Sequence, residues 1–355
     1  MSTTEPLEQL RRDIDSIQST LNSLQPKVWL SSLRDTVEDL QTKINGLPQQ
    51  VQDLRARGYP FEKGLEGKAA DWAAQWASLR PTVLRQMDQQ AVVLESALYP
   101  VEQQFKAVLG QATNPSVAQP RVVTLKAEIS ALESKVSAVS ESIHGTFDSL
   151  EDQVRQFAGH LDRVAWMLQQ VAEASFRLLP TEAGIMAVRA TWVKGGEEGS
   201  EDPQGVLYLT DQRLVFEQKQ ELVTKRTLFV VREKKKIQQL GIEVPAALVD
   251  TVKATKRGLL GHEDHLELTF AADAQLNPAH FHIDGQDCKE WQGLIGRAKA
   301  KEYDADRALP LDQAVVDKVR SAPTACPHCG AAITQQVLRG MDSIRCKYCG
   351  KSIRL

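Results

Sequence analysis

Apolar residues in the first half of the chain recur every three or four positions. Leu7, Leu10, Ile14, Ile17, Leu21 and Leu24 form one stripe, and Leu30, Leu33, Val37, Leu40, Ile44, Leu47, Val51 and Leu54 form the next. That spacing sets them along one helix face, which must meet another helix to leave water. Pro26 interrupts the first stripe, Pro48 is expected to bend the second, and Gly58-Tyr59-Pro60 to end it. A third stretch carries Leu65, Ala69, Trp72, Trp76 and Leu79, and a fourth runs from Leu84 to Val108 with a kink expected at Pro100. From Arg121 to Leu178 there is no proline, and the pattern predicts one helix of roughly 85 Å with a stutter near Ile143. Hairpin turns at Pro26, Gly58 and Pro81 would fold the pieces into a bundle, while the same heptads permit a coiled-coil rod. Residues 1–180 are therefore expected to be a helical bundle or coiled coil that self-associates or holds partner helices. Its polar faces mix acids and bases, which speaks against helices lying on a membrane surface.

After Pro180 the period shortens to two. Ile185 to Val193, Gly205 to Thr210, Arg213 to Gln218, Arg226 to Val231, His265 to Phe270 and His280 to Ile283 read as strands, with Gly195-Gly196-Glu197-Glu198-Gly199 as one of the turns. An amphipathic helix from Gln286 to about Tyr303 follows, with Cys288, Trp291, Leu294 and Ile295 placed to cap one end of a sheet. Gly205-Val-Leu-Tyr-Leu-Thr210-Asp-Gln-Arg213-Leu-Val-Phe216 resembles the G-x-L-x-L-T-x-x-R-L-x-F hairpin of GRAM and bacterial PH-like domains. Lys256-Arg257-Gly258-Leu259-Leu260-Gly261, the strand ending at Phe270 and Trp291 on the last helix fall in that family's order. The resemblance covers residues 182–302 and implies a seven-stranded, strongly bent β-barrel plugged by one helix, with a habit of docking lipid headgroups or proteins. The segment Lys234 to Pro245 departs from the family's pattern, which leaves the middle strands open. The fold class expected is multi-domain α + β: helices over 1–180, a PH-like (GRAM) domain over 181–303, a linker with one short helix over 304–322, and a last module over 323–355.

That module carries the most specific motif. Cys326-Pro-His-Cys329-Gly330 and Cys346-Lys-Tyr-Cys349-Gly350 are two CxxCG knuckles, the arrangement that converges four thiolates on a tetrahedral metal. The predicted cofactor is one structural zinc ion held by Cys326, Cys329, Cys346 and Cys349 in a zinc ribbon, with strands at Ile333 to Leu338 and Ser343 to Arg345 about the turn Arg339-Gly340-Met341-Asp342. Four thiolates leave no coordination position for water, so the zinc folds a segment too small for its own core. A redox use of either CxxC lacks a surrounding βαβ unit, and His328 reads as a solvated side chain within the knuckle.

Charge adds two candidate surfaces. The net charge of −3 argues against wholesale polyanion binding, so any such site must be local. Lys225, Arg226, Lys234, Lys235, Lys236, Lys253, Lys256 and Arg257 concentrate in the β region and would attract an anionic headgroup if they converged on one rim. Arg339, Arg345, Lys347, Lys351 and Arg354 make the ribbon basic, which opens nucleic-acid contact as an alternative to a solvated surface. His280 and His282 face one side of a strand while His262 and His265 flank Glu263 and Asp264, so a second metal or an acid–base cluster stands beside the plainer reading of polar strand positions. Cys288 reads as buried packing.

No GxxxxGK, GxGxxG after a strand, GxSxG or HExxH occurs. An enzyme would need a pocket converging on His280, His282 and Glu263. No apolar run approaches the roughly 20 residues of a spanning helix, and the N-terminus lacks a signal-peptide pattern. Paired knuckles and one lone cysteine suit a reducing compartment. The expectation is a cytoplasmic, non-enzymatic zinc-binding adaptor that meets protein partners or, peripherally, an anionic membrane, with a nucleic-acid-associated factor as the alternative.

Overall fold

The computed structural model describes residues 4–227, 230–258 and 261–355, with Thr4 and residues 221–235 described by their backbone alone. The chain divides into two compact units, Met1–Pro48 with Gly67–Ala158, and Gln49–Glu66 with Gly159–Leu355.

Of the helices α1 (Thr4–Val28), α2 (Ser31–Ala56), α3 (Leu65–Leu109), α4 (Pro115–His144) and α5 (Asp148–Ala172), the first unit holds α1, α4, most of α2 and α3 and the first part of α5. The heptad stripes close on one another inside the chain: Leu10, Ile14, Ile17, Leu21, Leu24, Val37, Leu40 and Ile44 are all buried. Polar contacts fix the pairing. Asp13 on α1 accepts from Lys126 at 2.7 Å and Gln119 at 3.0 Å on α4, and on α3 the Trp76 indole N–H donates to Gln41 of α2 at 3.0 Å. Trp76 packs edge-on against Phe147, and Trp72 lies against Phe157 on α5. No helix among the described residues is long and apolar enough to cross a membrane.

Two expected boundaries differ. Pro81 makes no hairpin: α3 runs unbroken through Pro81 and Pro100. Each proline removes one helical hydrogen bond, but Val83, Met87, Leu98 and Val101 beside them are buried, and their burial holds the helix together. Conversely, the single helix expected over 121–178 breaks at Gly145-Thr146-Phe147, where the predicted stutter lies. There the backbone tightens into bonds from Thr146 to Ile143 and from Phe147 to His144, and the Thr146 hydroxyl donates to the Ile143 carbonyl at 2.7 Å. The turn delivers Phe147 to full burial.

In the second unit, seven antiparallel strands follow: β1 (Gly184–Trp192), β2 (Gln204–Thr210), β3 (Arg213–Thr227), β4 (Val230–Pro245), β5 (Val249–Arg257), β6 (Glu263–Phe270) and β7 (Ala279–Ile283). Their order is β4-β3-β2-β1-β7-β6-β5. A four-strand meander and a three-strand meander thus join where β7 returns beside β1, pairing Ala190 with Ile283 and Trp192 with Phe281. Helix α6 (Cys288–Lys299) buries Cys288, Trp291, Ile295 and Ala298, packing chiefly on β5 and also on β6 and β2. Asp287 caps it by accepting from the backbone of Lys289 and Glu290. Strand number, meander order and terminal helix are those of a PH-like domain. The pairings do not make the expected closed barrel, because β4 and β5 end the hydrogen-bonded order among the described residues.

The strand expected at 226–231 is instead the end of a long hairpin, Arg226–Thr227 in β3 and Val230–Val231 in β4, and Leu228 and Phe229 lie outside the described residues. The atypical segment from Lys234 is simply β4. Its pairing with β3 slips at Phe216/Glu217, a bulge that turns Glu217 inward to accept from Ser175 N–H at 2.7 Å and from the Tyr208 hydroxyl at 3.2 Å. Gly205 lies against that bulge so closely that a Cβ would come 1.9 Å from the Glu217 carbonyl oxygen. The strand β5 carries little apolar alternation and was not legible as one.

Helix α7 (Gln313–Arg320) and the hairpin β8 (Ser343–Arg345) with β9 (Ser352–Arg354) complete the chain. The expected hairpin of 333–338 with 343–345 does not form. Ser343 to Arg345 pairs instead with Ser352 to Arg354 across the second knuckle, which frees 333–338 to cross to the sheet domain.

Trp291 is fully buried beneath the sheet and Tyr348 is 73% exposed. Trp291→Ala is expected to lower unfolding free energy by about 3–5 kcal/mol, and Tyr348→Ala by less than about 0.5 kcal/mol, as read from urea midpoints.

Candidate metal centre

Each CxxCG segment turns on its glycine. Gly330 and Gly350 have φ of +74° and +71°, a left-handed conformation that disfavours a side chain. Their N–H groups donate to the carbonyls of Cys326 and Cys346, and Cys326 and Cys346 N–H donate in turn to Ala331 and Lys351. The two knuckles so formed face each other. All four sulfurs lie within 4.8 Å of one another, with Cys326–Cys349 and Cys329–Cys346 both 3.7 Å apart. Four thiolates at a zinc–sulfur distance of 2.3 Å would stand about 3.8 Å apart along each tetrahedral edge. The four cysteines therefore fit a zinc ion, and none is in a disulfide. Backbone N–H groups of Cys349 and Tyr348 pull the Cys346 thiol down while, against the Ala331 N–H, burial and the neighbouring sulfurs push the Cys329 thiol up, so the clustered thiols titrate as one set. Behind the metal site sits a small core of Ile344 and Ile353, with Ile333, Val337, Met341 and Leu355 against it.

The expected basic face loses one member. Arg339 is not solvated: it is buried, and its guanidinium meets Asp211 and, at 3.1 Å, Asp304. Asp211 is the second residue of the Thr210-Asp-Gln-Arg213 turn, and its side chain is 1% exposed. It also receives Arg307, whose guanidinium lies 4.8 Å over the Phe61 ring and donates to the Thr181 carbonyl. The Ala183 N–H donates to its other oxygen at 3.0 Å. Burial pushes the Asp211 carboxyl up, against the pull of that N–H and the two guanidiniums. Next to it, Gln212 donates its amide to the Arg339 carbonyl at 3.1 Å and accepts from the Arg339 N–H. Gly340 follows at φ +82°, where a Cβ would lie 2.2 Å from the Pro180 carbonyl oxygen. The turn of the ribbon is thus seated on the sheet domain, backbone against backbone.

The same β2–β3 turn holds itself rigid. The Thr210 hydroxyl donates to Glu182 at 2.6 Å and accepts from the Arg213 N–H at 2.7 Å. Arg213, 5% exposed, is bonded by Glu182 at 2.5 and 2.8 Å and reaches Glu243 and the Arg177 carbonyl. The sequence marked this motif as structural and missed that its two middle residues dock the ribbon. The signal for that was the lone acid, Asp211, at a position the alternation marks as turned inward.

Of the basic set in the β region, Lys253 and Arg257 both pair with Glu267, at 3.1 and 2.5 Å, and Lys256 pairs with Asp264 at 2.6 Å and Asp287 at 3.1 Å. Lys236 lies on β4, at the opposite end of the strand order from β5. The side chains of Lys225, Arg226, Lys234 and Lys235 lie outside the described residues, as do Leu259 and Leu260. Cys288 is buried, its thiol pushed up by burial and donating to the Thr255 carbonyl.

The histidines do come together. His265 lies opposite His282 in the β6–β7 register, and their rings stack at 4.7 Å. His265 Nδ1 is 2.9 Å from His280 Nε2, and His265 Nε2 is 3.5 Å from Glu263. His282 Nδ1 is 2.5 Å from Glu198 in the β1–β2 loop. An open cleft of about 790 Å³ lies over this group. Burial lowers the affinity of His265 and His280 for a proton, and nearby Arg257 acts in the same sense.

No protein-family model matches the chain, and no curated protein does. Among solved structures it is similar to the Vps36 N-terminal PH domain, at 16% identity over 35% of this chain and 85% of that one, TM-score 0.24. It is similar to a DUF1696-family protein with a pleckstrin-homology domain from Shewanella loihica PV-4, at 17% identity over 32% and 98%, TM-score 0.19. It is also similar to the DH/PH domains of PDZ-RhoGEF, solved in complex with GTPγS-activated RhoA, at 12% identity over 85% and 96%, TM-score 0.23. Scores this low carry no argument, and the PH-like description rests on strand order and the capping helix.

Two predictions follow from these contacts. Asp211→Ala strands two buried guanidiniums and is expected to cost about 3–5 kcal/mol, whereas Arg339→Ala leaves Asp211 paired with Arg307 and costs about 1–3 kcal/mol. A double-mutant cycle in urea should find the two changes strongly non-additive. For the histidines, a folded-state pKa below the ordinary 6.5 means that the unfolded chain binds the extra proton. Their contribution to stability is complete above pH 6.5 and is lost as pH falls through the folded values. Thermal midpoints should drop on acidification below that point, less steeply in a His265→Gln/His280→Gln variant.

Proposed function

We propose that this protein is a non-enzymatic, zinc-binding adaptor in which a PH-like domain and a zinc ribbon act as one docking body carried on a helical bundle. The observation that carries the reading is the seat of the ribbon on the β2–β3 turn. Arg339, Gln212 and Asp211 place a metal-held knuckle pair rigidly against the sheet, which presents two modules to a target in fixed register. The proposed zinc is a single structural ion, since Cys326, Cys329, Cys346 and Cys349 fill its tetrahedron. It supplies folding free energy to a segment with a core of only a few side chains.

A protein is the favoured target of the docking body. Lys253, Lys256 and Arg257 already have carboxylate partners, which weakens the case for an anionic headgroup on that rim. With the stripe faces of α1 and α2 buried, association through the helices would use their outer faces. One observation keeps nucleic acid as the second reading: Tyr348 projects from the second knuckle beside Lys347, with Lys351 and Arg345 near it in sequence, and an exposed aromatic among bases suits stacking on a single strand.

The test places a photo-crosslinking side chain at Tyr348 of the zinc-loaded protein in its own cell. Protein adducts that disappear on chelation are expected. Nuclease-sensitive adducts would transfer the function to nucleic acid, and flotation of the purified protein with anionic but not neutral vesicles would transfer it to the membrane.

A further inference from the structure

The cleft beside β6 and β7 has a chemistry that the adaptor reading does not use. His280 and His282, two apart on β7, project to one face, and His265 on the neighbouring strand projects to the same face opposite His282. Three imidazoles from two paired strands are thereby confined to two residue pairs that neighbour each other on that face, His265 with His282 and Glu267 with His280. We propose that His265, His280 and His282 bind a second metal ion, a borderline divalent ion of the zinc class, on the floor of this cleft.

Two of the three donor atoms are near their places, and the third needs a rotation of its ring. His265 Nδ1 and His280 Nε2 face each other at 2.9 Å. Two imidazole nitrogens on one tetrahedral zinc, each 2.0–2.1 Å from it, would stand about 3.3 Å apart. A separation of a few tenths of an ångström admits the ion between the two nitrogens. His282 completes the set by turning its ring from the stack on His265, since its Nε2 is otherwise only 3.9 Å from Asp284. Carboxylates stand behind the ligands as such sites require: Glu263 is 3.5 Å from the far nitrogen of His265, and Glu198 is 2.5 Å from Nδ1 of His282. Imidazole donors suit zinc, copper and nickel rather than the oxygen-seeking calcium or magnesium. His265 and His280 are already biased to the neutral, metal-binding form by burial. Three protein ligands leave a coordination position open to the cleft, unlike the closed set of four thiolates.

A competing cation site is filled by the protein itself. Asp264, Asp287 and Cys288 also lie within ligand range of one another, but the Lys256 ammonium lies 2.6 and 3.1 Å from the two carboxylates and takes the place of an ion.

The test is calorimetric titration of the full chain with Zn²⁺ after its ribbon has been loaded with one equivalent. A second equivalent should bind at neutral pH and weaken on acidification. It should be lost in His280→Gln/His282→Gln, which leaves the buried His265 in place, and be weakened about 10–100-fold in Glu198→Gln. Retention of the first equivalent in both variants shows that they are folded. Absence of a second equivalent in the parent protein would overturn the site, and so would its survival in the double variant.

Discussion

A carboxylate that cannot reach water must be met by charge or by N–H groups, and Asp211 is met by both. Two guanidiniums from distant parts of the chain, Arg307 and Arg339, converge on one oxygen, and the Ala183 N–H takes the other. Removing such a group from water costs several kcal/mol before any attraction returns it. The fold is therefore tolerable only when the start of β1, the segment after α6 and the ribbon turn are all in position. One side chain thus makes three separate stretches of sequence conditional on each other, which a hydrophobic contact of the same size would not do because it has no preferred direction.

Zinc bound as proposed would give this arrangement a metal dependence. The ribbon's own core is four buried residues, two of them ligands, so its shape comes from the thiolate cluster. The turn that carries Arg339 and Gly340 leaves the first knuckle as an irregular strand and returns into β8 just before the second. A zinc ion held by the four cysteines would therefore fix both ends of the segment that docks. Gly340 fits because it lacks a side chain, and Gln212 reads the backbone of Arg339 rather than its charge alone. With zinc bound, specific seating and metal loading would become parts of one equilibrium.

Much of this was legible beforehand, for identifiable reasons. The knuckles were plain because their chemistry needs fixed residues at fixed spacing, and the helices because a stripe of Leu and Ile has only one economical use. The hairpin from Gly205 to Phe216 was plain from alternation and from its resemblance to GRAM domains. What escaped depends on long-range context. Pro81 reads as a break until the buried Val83 and Met87 beside it are known, and Gly145 reads as an interior residue until Phe147 finds Trp76. Strand β5, Val-Asp-Thr-Val-Lys-Ala-Thr-Lys-Arg, is polar on the face that Lys253 and Arg257 share with Glu267, so it has little apolar alternation to reveal it. Arg339 reads as surface charge because nothing local announces Asp211, 128 residues away.

The seat of the ribbon is most directly tested at one amide. The N–H of Arg339 donates to the Gln212 side chain across the interface, whereas the knuckle amides of Gly330 and Gly350 donate within the ribbon. Hydrogen exchange of the zinc-loaded full chain should show the Arg339 amide protected, and Gln212→Ala should release it while Gly330 and Gly350 stay protected. An Arg339 amide that exchanges as fast as an unstructured peptide, beside protected knuckles, would mean that the ribbon is folded but unseated and would contradict the account.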